Sequence, residues 1–322
     1  SVQSMEKQTT YCAMMHLGMP VPETMLVPPK EHESSPDVQP TLNRYARLFR
    51  LEDIGAKLGY PVFMKPYDGG GWVGVSKIDN DDELRTAYDT SGKFVMHVQK
   101  GMLPFDLFVR CIGIGPQTKI IRYEPSAPLH ERYQPDLDLV ETGAITAEEA
   151  ELIRNTTLTI NSFFGWDFNS CELIRKDGVW YPIDFANPCP DSQVTSLHIH
   201  FPWIVLSQIR WSLFCAATDR KMRRNLDWEP YYEVAEGKGD YPRKLAGYAK
   251  IAHQRFDTTR FEEFCAEHLA ELDAVSLEFF GTPRARDAVR MKVQALFPEH
   301  EWDEFTELFW SRIQMWRAAQ GA

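Results

Sequence analysis

The sequence predicts an α+β protein with a helical carboxy-terminal third. Three observations carry this. The stretch Tyr60-Pro-Val-Phe-Met-Lys-Pro-Tyr-Asp-Gly-Gly-Gly-Trp-Val-Gly-Val-Ser-Lys-Ile78 reads as a strand, a glycine loop and a second strand. Thr146, with Glu149 three residues on, opens a helix that runs to Phe164 and leads to two strands joined across Lys176-Asp-Gly178. After Asn187-Pro-Cys-Pro190 the apolar pattern turns helical and stays so to the end.

A chain of 322 residues can bury a sizeable core and hold two or three subdomains. The division expected is 1–98, 99–200 and 201–322. Hydrophobic content of 43% and charged content of 25% are those of an ordinary globular protein. A net charge of −11 argues against a nucleic-acid partner, because phosphate backbones need clustered Lys and Arg. The cysteines at 12, 111, 171, 189, 215 and 265 show no C-x-x-C pair or metal spacing, so reduced thiols and a cytoplasmic location are expected. The most apolar segment, Phe201 to Ala217, is broken by Gln208 and Arg210 and reads as a buried helix, so no membrane partner is expected. Ser1 stands where an initiator Met would be, so either a truncated chain or a lost upstream domain is expected.

In chain order, Met5 to Leu17 reads as a helix ended by Gly18. Residues 20–40 are rich in Pro, Glu and Ser and suggest strand fragments with a loose loop. Leu42 to Leu58 is predicted as one helix stopped by Gly59. Pro61 to Met64 and Val73 to Ile78 are the strands around the glycines, and Asp79 to Tyr88 is a helix with an acidic start. Strands follow at Phe94 to Val98, Leu107 to Ile114 and Thr118 to Tyr123, then a polar loop from Pro125 to Leu139. The hairpin strands are Asn169 to Arg175 and Trp180 to Phe185. Two apolar stripes mark the last helices: Phe261, Phe264, Cys265, His268, Leu269 and Leu272, then Trp302, Phe305, Leu308, Phe309, Ile313 and Trp316. The stripes are expected to pack onto the core, a homodimer interface or a groove for a partner being the alternative.

The residues that suggest chemistry begin with Lys65. It ends an apolar strand and precedes glycines at 69, 70, 71 and 74, whose backbone N–H groups can turn toward an anion. The spacing is not that of a P-loop, and the same residues also describe a tight hairpin with a surface lysine. Phe94 to Asp106 runs from a strand into a connector that could read an adenine edge through its backbone, or be an ordinary loop. Glu172 and Asp184 sit near the centres of neighbouring strands. There they would either share a divalent cation or face solvent and pair with Arg175 or Lys176.

Taken in order, these blocks resemble the ATP-grasp superfamily, most nearly its D-alanine–D-alanine ligase-like branch, over about residues 4–197. The blocks are Ser4-Met-Glu-Lys7 with Leu17-Gly-Met-Pro-Val-Pro22, then Pro61 to Ile78, Gln99-Lys-Gly-Met102 with Asp106, the acids Glu172 and Asp184, and Asn187-Pro-Cys-Pro-Asp-Ser-Gln-Val-Thr-Ser-Leu197. The resemblance implies two α+β lobes clasping ATP, with a helical extension beyond, and an ADP-forming ligation of a carboxylate to an amine through an acyl phosphate. It implies that Lys7 and Lys65 hold phosphates under a flap of Gly69, Gly70, Gly71 and Trp72. Gln99, Lys100 and Met102 would meet the adenine, Asp106 the ribose, and Glu172, Asp184 and Asn187 would bind Mg²⁺. Ser196 and Leu197 would lie at a small-molecule substrate, an amino acid or small peptide.

Three departures stand out. Asp184-Phe-Ala-Asn187 replaces E-x-N; positions i and i+3 of a regular strand face opposite sides, so either a β-bulge intervenes or Asn187 is not a ligand. Ser170 stands where the family places an arginine, so either Arg110, Arg122 or Arg132 steadies the oxyanion or turnover is impaired. Asp191 replaces a glycine in the substrate loop. The family's amino-terminal domain is expected to be missing from this chain. A nucleotide-binding regulatory module, or a phosphotransferase that does not ligate, is the alternative function.

Overall fold

The structure is a computed structural model that describes residues 6–45, 50–67, 73–223 and 225–321. The mixed α and β elements, including two antiparallel sheets, bear out the predicted α+β class. The chain divides into two compact units, residues 1–107 with 174–187, and residues 108–173 with 188–322. The helices after 200 share a core with the strands and helix of the second unit and do not stand apart.

In the first unit, α1 (Lys7–His16) starts at Glu6, whose carboxylate accepts from the backbone N–H groups of Gln8 and Thr9. The strands β1 (Thr24–Val27), β2 (Val62–Pro66), β3 (Ser76–Ile78) and β4 (Met96–Lys100) form an antiparallel sheet in the order β1-β4-β2-β3. The expected Leu42–Leu58 helix is two helices, α2 (Val38–Tyr45) and α3 (Leu51–Leu58), with residues 46–49 outside the described set. The strand expected from Val73 starts only at Ser76.

Strand alternation decides what each sheet face carries. Val27, Val62, Met64, Ile78, Met96 and Val98 form one buried face, packed with Ile54 and Leu58 of α3 and with Leu84 of α4 (Asp81–Thr90). The other face carries Thr24, Phe63, Lys65, His97 and Gln99, because Thr24 pairs with Gln99, Gln99 with Phe63, and Lys65 with His97. Past β4 the connector closes tightly on the sheet. The Gly101 N–H donates to the Pro61 carbonyl at 2.8 Å, and a Cβ at 101 would lie 2.5 Å from that oxygen.

In the second unit, β5 (Leu107–Ile114) and β6 (Gln117–Arg122) form a hairpin paired from Val109–Arg122 to Ile114–Gln117. Gly115 makes the turn at φ 55°, with the Trp211 ring where a side chain would have to go. The long helix α5 (Ala147–Phe164) has the expected capping box, Thr146 with Glu149. The strand β7 (Phe168–Lys176) begins in this unit; the turn at Asp177 and Gly178, with φ 52° and 74°, and β8 (Val179–Asp184) belong to the first.

Beyond Pro188 come α6 (Val194–Leu197), α7 (Phe201–Ala217), α8 (Glu229–Glu236), α9 (Tyr241–Phe256), α10 (Thr258–His268), α11 (Leu272–Phe279), α12 (Pro283–Gln294) and α13 (Trp302–Ala319). The α13 stripe is core: Phe309, Ile313 and Trp316 are buried with Val194, Ile199, Leu206 and Phe280.

Candidate functional site

The first unit gathers two lysines on one buried polar layer. Lys7 is the first residue of α1 and Lys65 lies near the end of β2; they are 5% and 8% exposed. The Lys65 ammonium donates to the Tyr11 hydroxyl at 2.9 Å, the Gln99 side-chain oxygen at 2.9 Å and the Ile183 carbonyl at 3.2 Å. Tyr11 donates in turn to the same Ile183 carbonyl at 2.9 Å, and Gln99 passes a hydrogen bond to Thr24 at 2.9 Å. Lys7 makes an ion pair with Asp184 at 2.6 Å. Two ammonium groups, 58 positions apart in sequence, are thus anchored on the consecutive residues Ile183 and Asp184 at the end of β8.

His97 completes this layer. It is fully buried opposite Lys65, its ring 5.9 Å from that of Tyr11 and 6.0 Å from that of Tyr67. Neither ring nitrogen has a hydrogen-bond partner among the described residues. Burial, then the charges of Lys65 and Lys7, pull its imidazole down to about 3, so it stays neutral. A neutral histidine beside two ammonium groups adds no further positive charge.

Of the residues expected at a nucleotide, Lys7, Lys65 and Gln99 come together here. Gly69, Gly70, Gly71 and Trp72 lie outside the described residues. Lys100 is exposed and Met102 buried, on either side of the close approach at Gly101. The carbonyls of Leu103 and Pro104 accept from the Lys176 ammonium at 2.5 and 3.3 Å, and Asp106 is exposed, its N–H donating to the Arg175 carbonyl. Asn187 is half-buried. Regular strand ends at Asp184, so the bulge required of a continuing strand does not arise and strand parity places no constraint on residue 187.

The second unit has its own buried cation. Arg110 on β5 is 8% exposed and donates from Nε to the Ser170 hydroxyl at 3.0 Å and from a terminal nitrogen to the Tyr133 hydroxyl. Its Nε lies 3.9 Å from the Glu172 carboxylate, both side chains being nearly covered. Arg122, at the end of β6, is exposed, whereas Arg132 is half-buried and donates to the Ala127 carbonyl. Of the three candidate arginines, only Arg110 is in contact with Ser170 and Glu172. Ser196 and Leu197 of α6 are buried, Leu197 completely.

His198 and His200 are core residues. His198 accepts from the Ile199 N–H at 2.8 Å, and His200 Nε2 lies 2.8 Å from the Gln134 carbonyl. Burial lowers them to about 4 and about 3. All six cysteines are free. Among the described residues no three or more His, Cys, Asp or Glu side chains gather as a metal site, and no helix is long and apolar enough to cross a membrane. In the first unit Asp184 and Asn187 can offer oxygen donors, the type that suits Mg²⁺, and Asp184 spends one of its oxygens on Lys7; Glu172 is a carboxylate of the second unit.

Sequence reading did not find Tyr11, Thr24 or His97. Two signals were present: Tyr11 is four residues after Lys7 and so on the same helix face, and His97 and Gln99 alternate in step with Lys65.

Two buried ammonium groups, Lys65 held by hydroxyl, amide and carbonyl oxygens and Lys7 by the Asp184 carboxylate, make an arrangement suited to polyphosphate. Residues 15–99, which include Lys65 and Gln99, match the family model described as D-ala D-ala ligase C-terminus. The D-alanine–D-alanine ligase of Bacillus pumilus is 27% identical over 141 residues, 39% of this chain and 36% of that protein. That of Streptomyces griseus is 24% identical over 195 residues, 55% of this chain and 45% of that one. A solved D-alanine–D-alanine ligase from Bacillus anthracis, complexed with ATP, overlaps 67% of this chain and 68% of its own, with a TM-score of 0.45 and 17% identity. The chain resembles the ATP-grasp superfamily in its D-alanine–D-alanine ligase-like branch. It spans 36% and 45% of the length of these two curated relatives.

Proposed function

We propose that this chain is an ADP-forming carboxylate–amine ligase of ATP-grasp type, acting on an amino acid or small peptide through an acyl phosphate. The observation that carries this is the convergence of Lys7 and Lys65 on Ile183 and Asp184. The substrate carboxylate attacks the γ-phosphorus of ATP, the bond to the bridging oxygen breaks and ADP leaves. An amine then attacks the acyl carbon, expels phosphate and loses a proton. The difficulty is that two anions must meet. Lys65 and Lys7 hold phosphate oxygens, Lys7 exchanging its bond to Asp184 for one to the nucleotide. Two unit charges about 4 Å apart at an effective dielectric near 20 interact by about 4 kcal/mol, roughly a thousandfold in rate if realised only in the transition state.

Mg²⁺, when bound, would supply further charge neutralisation, with Glu172, Asp184 and Asn187 as its oxygen donors. Arg110, held by Ser170 and Tyr133, steadies the oxyanion that forms on the acyl carbon, with Arg122 and Arg132 the less enclosed alternatives. Gln99, Lys100, Met102 and Asp106 line the nucleoside end, and Gly69, Gly70, Gly71 and Trp72 cover the phosphates. Ser196 and Leu197 belong to the substrate loop, Leu197 as its buried support.

The test is incubation with ATP, Mg²⁺ and a pool of amino acids, followed by mass spectrometry. ADP together with a condensed product supports the reading. ATP binding without product would replace it with a nucleotide-sensing module.

A further inference from the structure

In the second unit the loop between α7 and α8 borders, with α8 and α9, an open cleft of about 530 Å³ that the ligase reading does not use, a size in the range of small-ligand sites. Arg220, Lys221, Arg223 and Arg255 line it, with Asp227 as the lining carboxylate. In a chain of net charge −11, four cations at one cavity run against the general composition.

Two of these cations are fixed by neutral groups. Arg255, in the last turn of α9, is half-buried; it donates to the backbone carbonyls of Ser162 and Asp227 and lies over the Tyr231 ring at 4.7 Å. Arg220 donates to the Arg255 carbonyl at 2.7 Å and lies over the Trp211 ring at 5.0 Å. Carbonyls and aromatic faces orient a guanidinium without cancelling its charge. Burial first, and then the charge of Arg223, hold Arg255 below the usual arginine range.

The loop carrying the other two is pinned at its far end. Trp228 stacks on Phe163, the rings 5.0 Å apart and parallel to 1°, and its indole N–H donates to the Phe163 carbonyl at 2.7 Å. A helix-capping role accounts for Arg220 and for one contact of Arg255, whose acceptors lie in the last turns of α9 and α5. It does not account for Arg223, which has no hydrogen bond or ion pair among the described residues, or for Lys221, whose exposed partner Asp219 lies outside the lining.

We propose that this cavity is a second anion site, taking a small molecule that bears a phosphate or pyrophosphate group, separate from the lysine pair of the first unit. Several guanidinium groups offer planar paired donors that match the oxygens of a phosphate, and a di- or trianion matches the excess of cations better than a single carboxylate does.

Inorganic pyrophosphate is the probe, titrated calorimetrically into the parent protein, Lys65→Met and Lys221→Glu/Arg223→Glu. Lys221 and Arg223 are exposed, so the double variant should melt at the parent temperature; Arg223→Gln serves should it not. Binding that persists in Lys65→Met and weakens at least tenfold in the double variant, with ATP binding there retained, supports the site. No pyrophosphate binding in Lys65→Met, or undiminished binding in the double variant, overturns it. Loss of ATP binding in Lys65→Met reports on the ligase reading alone.

Discussion

Lys65 and His97 face each other across β2 and β4, both buried, the one charged and held by three oxygens, the other neutral with neither ring nitrogen bonded among the described residues. The histidine is thus a titratable element set against the layer that carries the two lysines.

The pH dependence of stability follows. An imidazole lowered to about 3 in the folded protein binds a proton more readily once unfolded, where its ordinary value is about 6.5. Its contribution is therefore fully present above pH 6.5 and is lost as the pH falls toward 3, at up to about 1.4 kcal/mol per pH unit. His200, at about 3, and His198, at about 4, act in the same direction. Urea titrations between pH 7 and 4 should show falling stability, with a shallower slope in His97→Gln. An unchanged slope would refute the assignment to His97.

Lys65→Met retains the aliphatic stem and removes the ammonium. Substrate-dependent ADP release should fall by roughly a hundred- to a thousandfold while the far-ultraviolet circular dichroism is kept. Turnover at the parent rate would remove Lys65 from the reaction.

Asp184→Asn leaves Lys7 nearly covered and without its carboxylate. Breaking a largely covered pair from one side should cost about 1–3 kcal/mol in denaturant stability, with Lys7→Met/Asp184→Asn less destabilised than the sum of the single variants. Additive losses would show that the ion pair contributes little.

Arg110→Lys is not a conservative change, because one ammonium cannot reproduce the fork that reaches Ser170 and Tyr133. A loss of about 2–4 kcal/mol is expected, with Ser170→Ala much milder. Equal losses in the two would place the importance in the serine.

Gly101→Ala sets a methyl group 2.5 Å from the Pro61 carbonyl oxygen, an approach the backbone must relieve by shifting. A thermal melt should show about 1–3 kcal/mol of destabilisation. A neutral result would mean that the connector moves freely.

Features written in a few adjacent residues were legible in the sequence. The Thr146–Glu149 box, the turn at Asp177-Gly178, the end of β2 at Lys65 and the chemical character of Lys7 and Gln99 all depend on local pattern. What escaped depends on pairing. His97 reads as an ordinary polar strand residue until the register sets it opposite Lys65, and Tyr11 as an ordinary helix residue until Ile183 arrives from 172 positions away. The break within 42–58 went unseen because no Pro or Gly marks it, and the unit boundaries because they follow non-local packing.

The first unit is discontinuous, and this has a consequence for biogenesis. Lys7 and Tyr11 leave the ribosome early, yet their partners Ile183 and Asp184 emerge only after the 66 residues from 108 to 173 have been made. Sheet β1-β4-β2-β3 must therefore wait, its polar layer open to water, until β8 is delivered. Nascent chains stalled just short of residue 187 should be far more sensitive to protease across 6–107 than chains released a few dozen residues later.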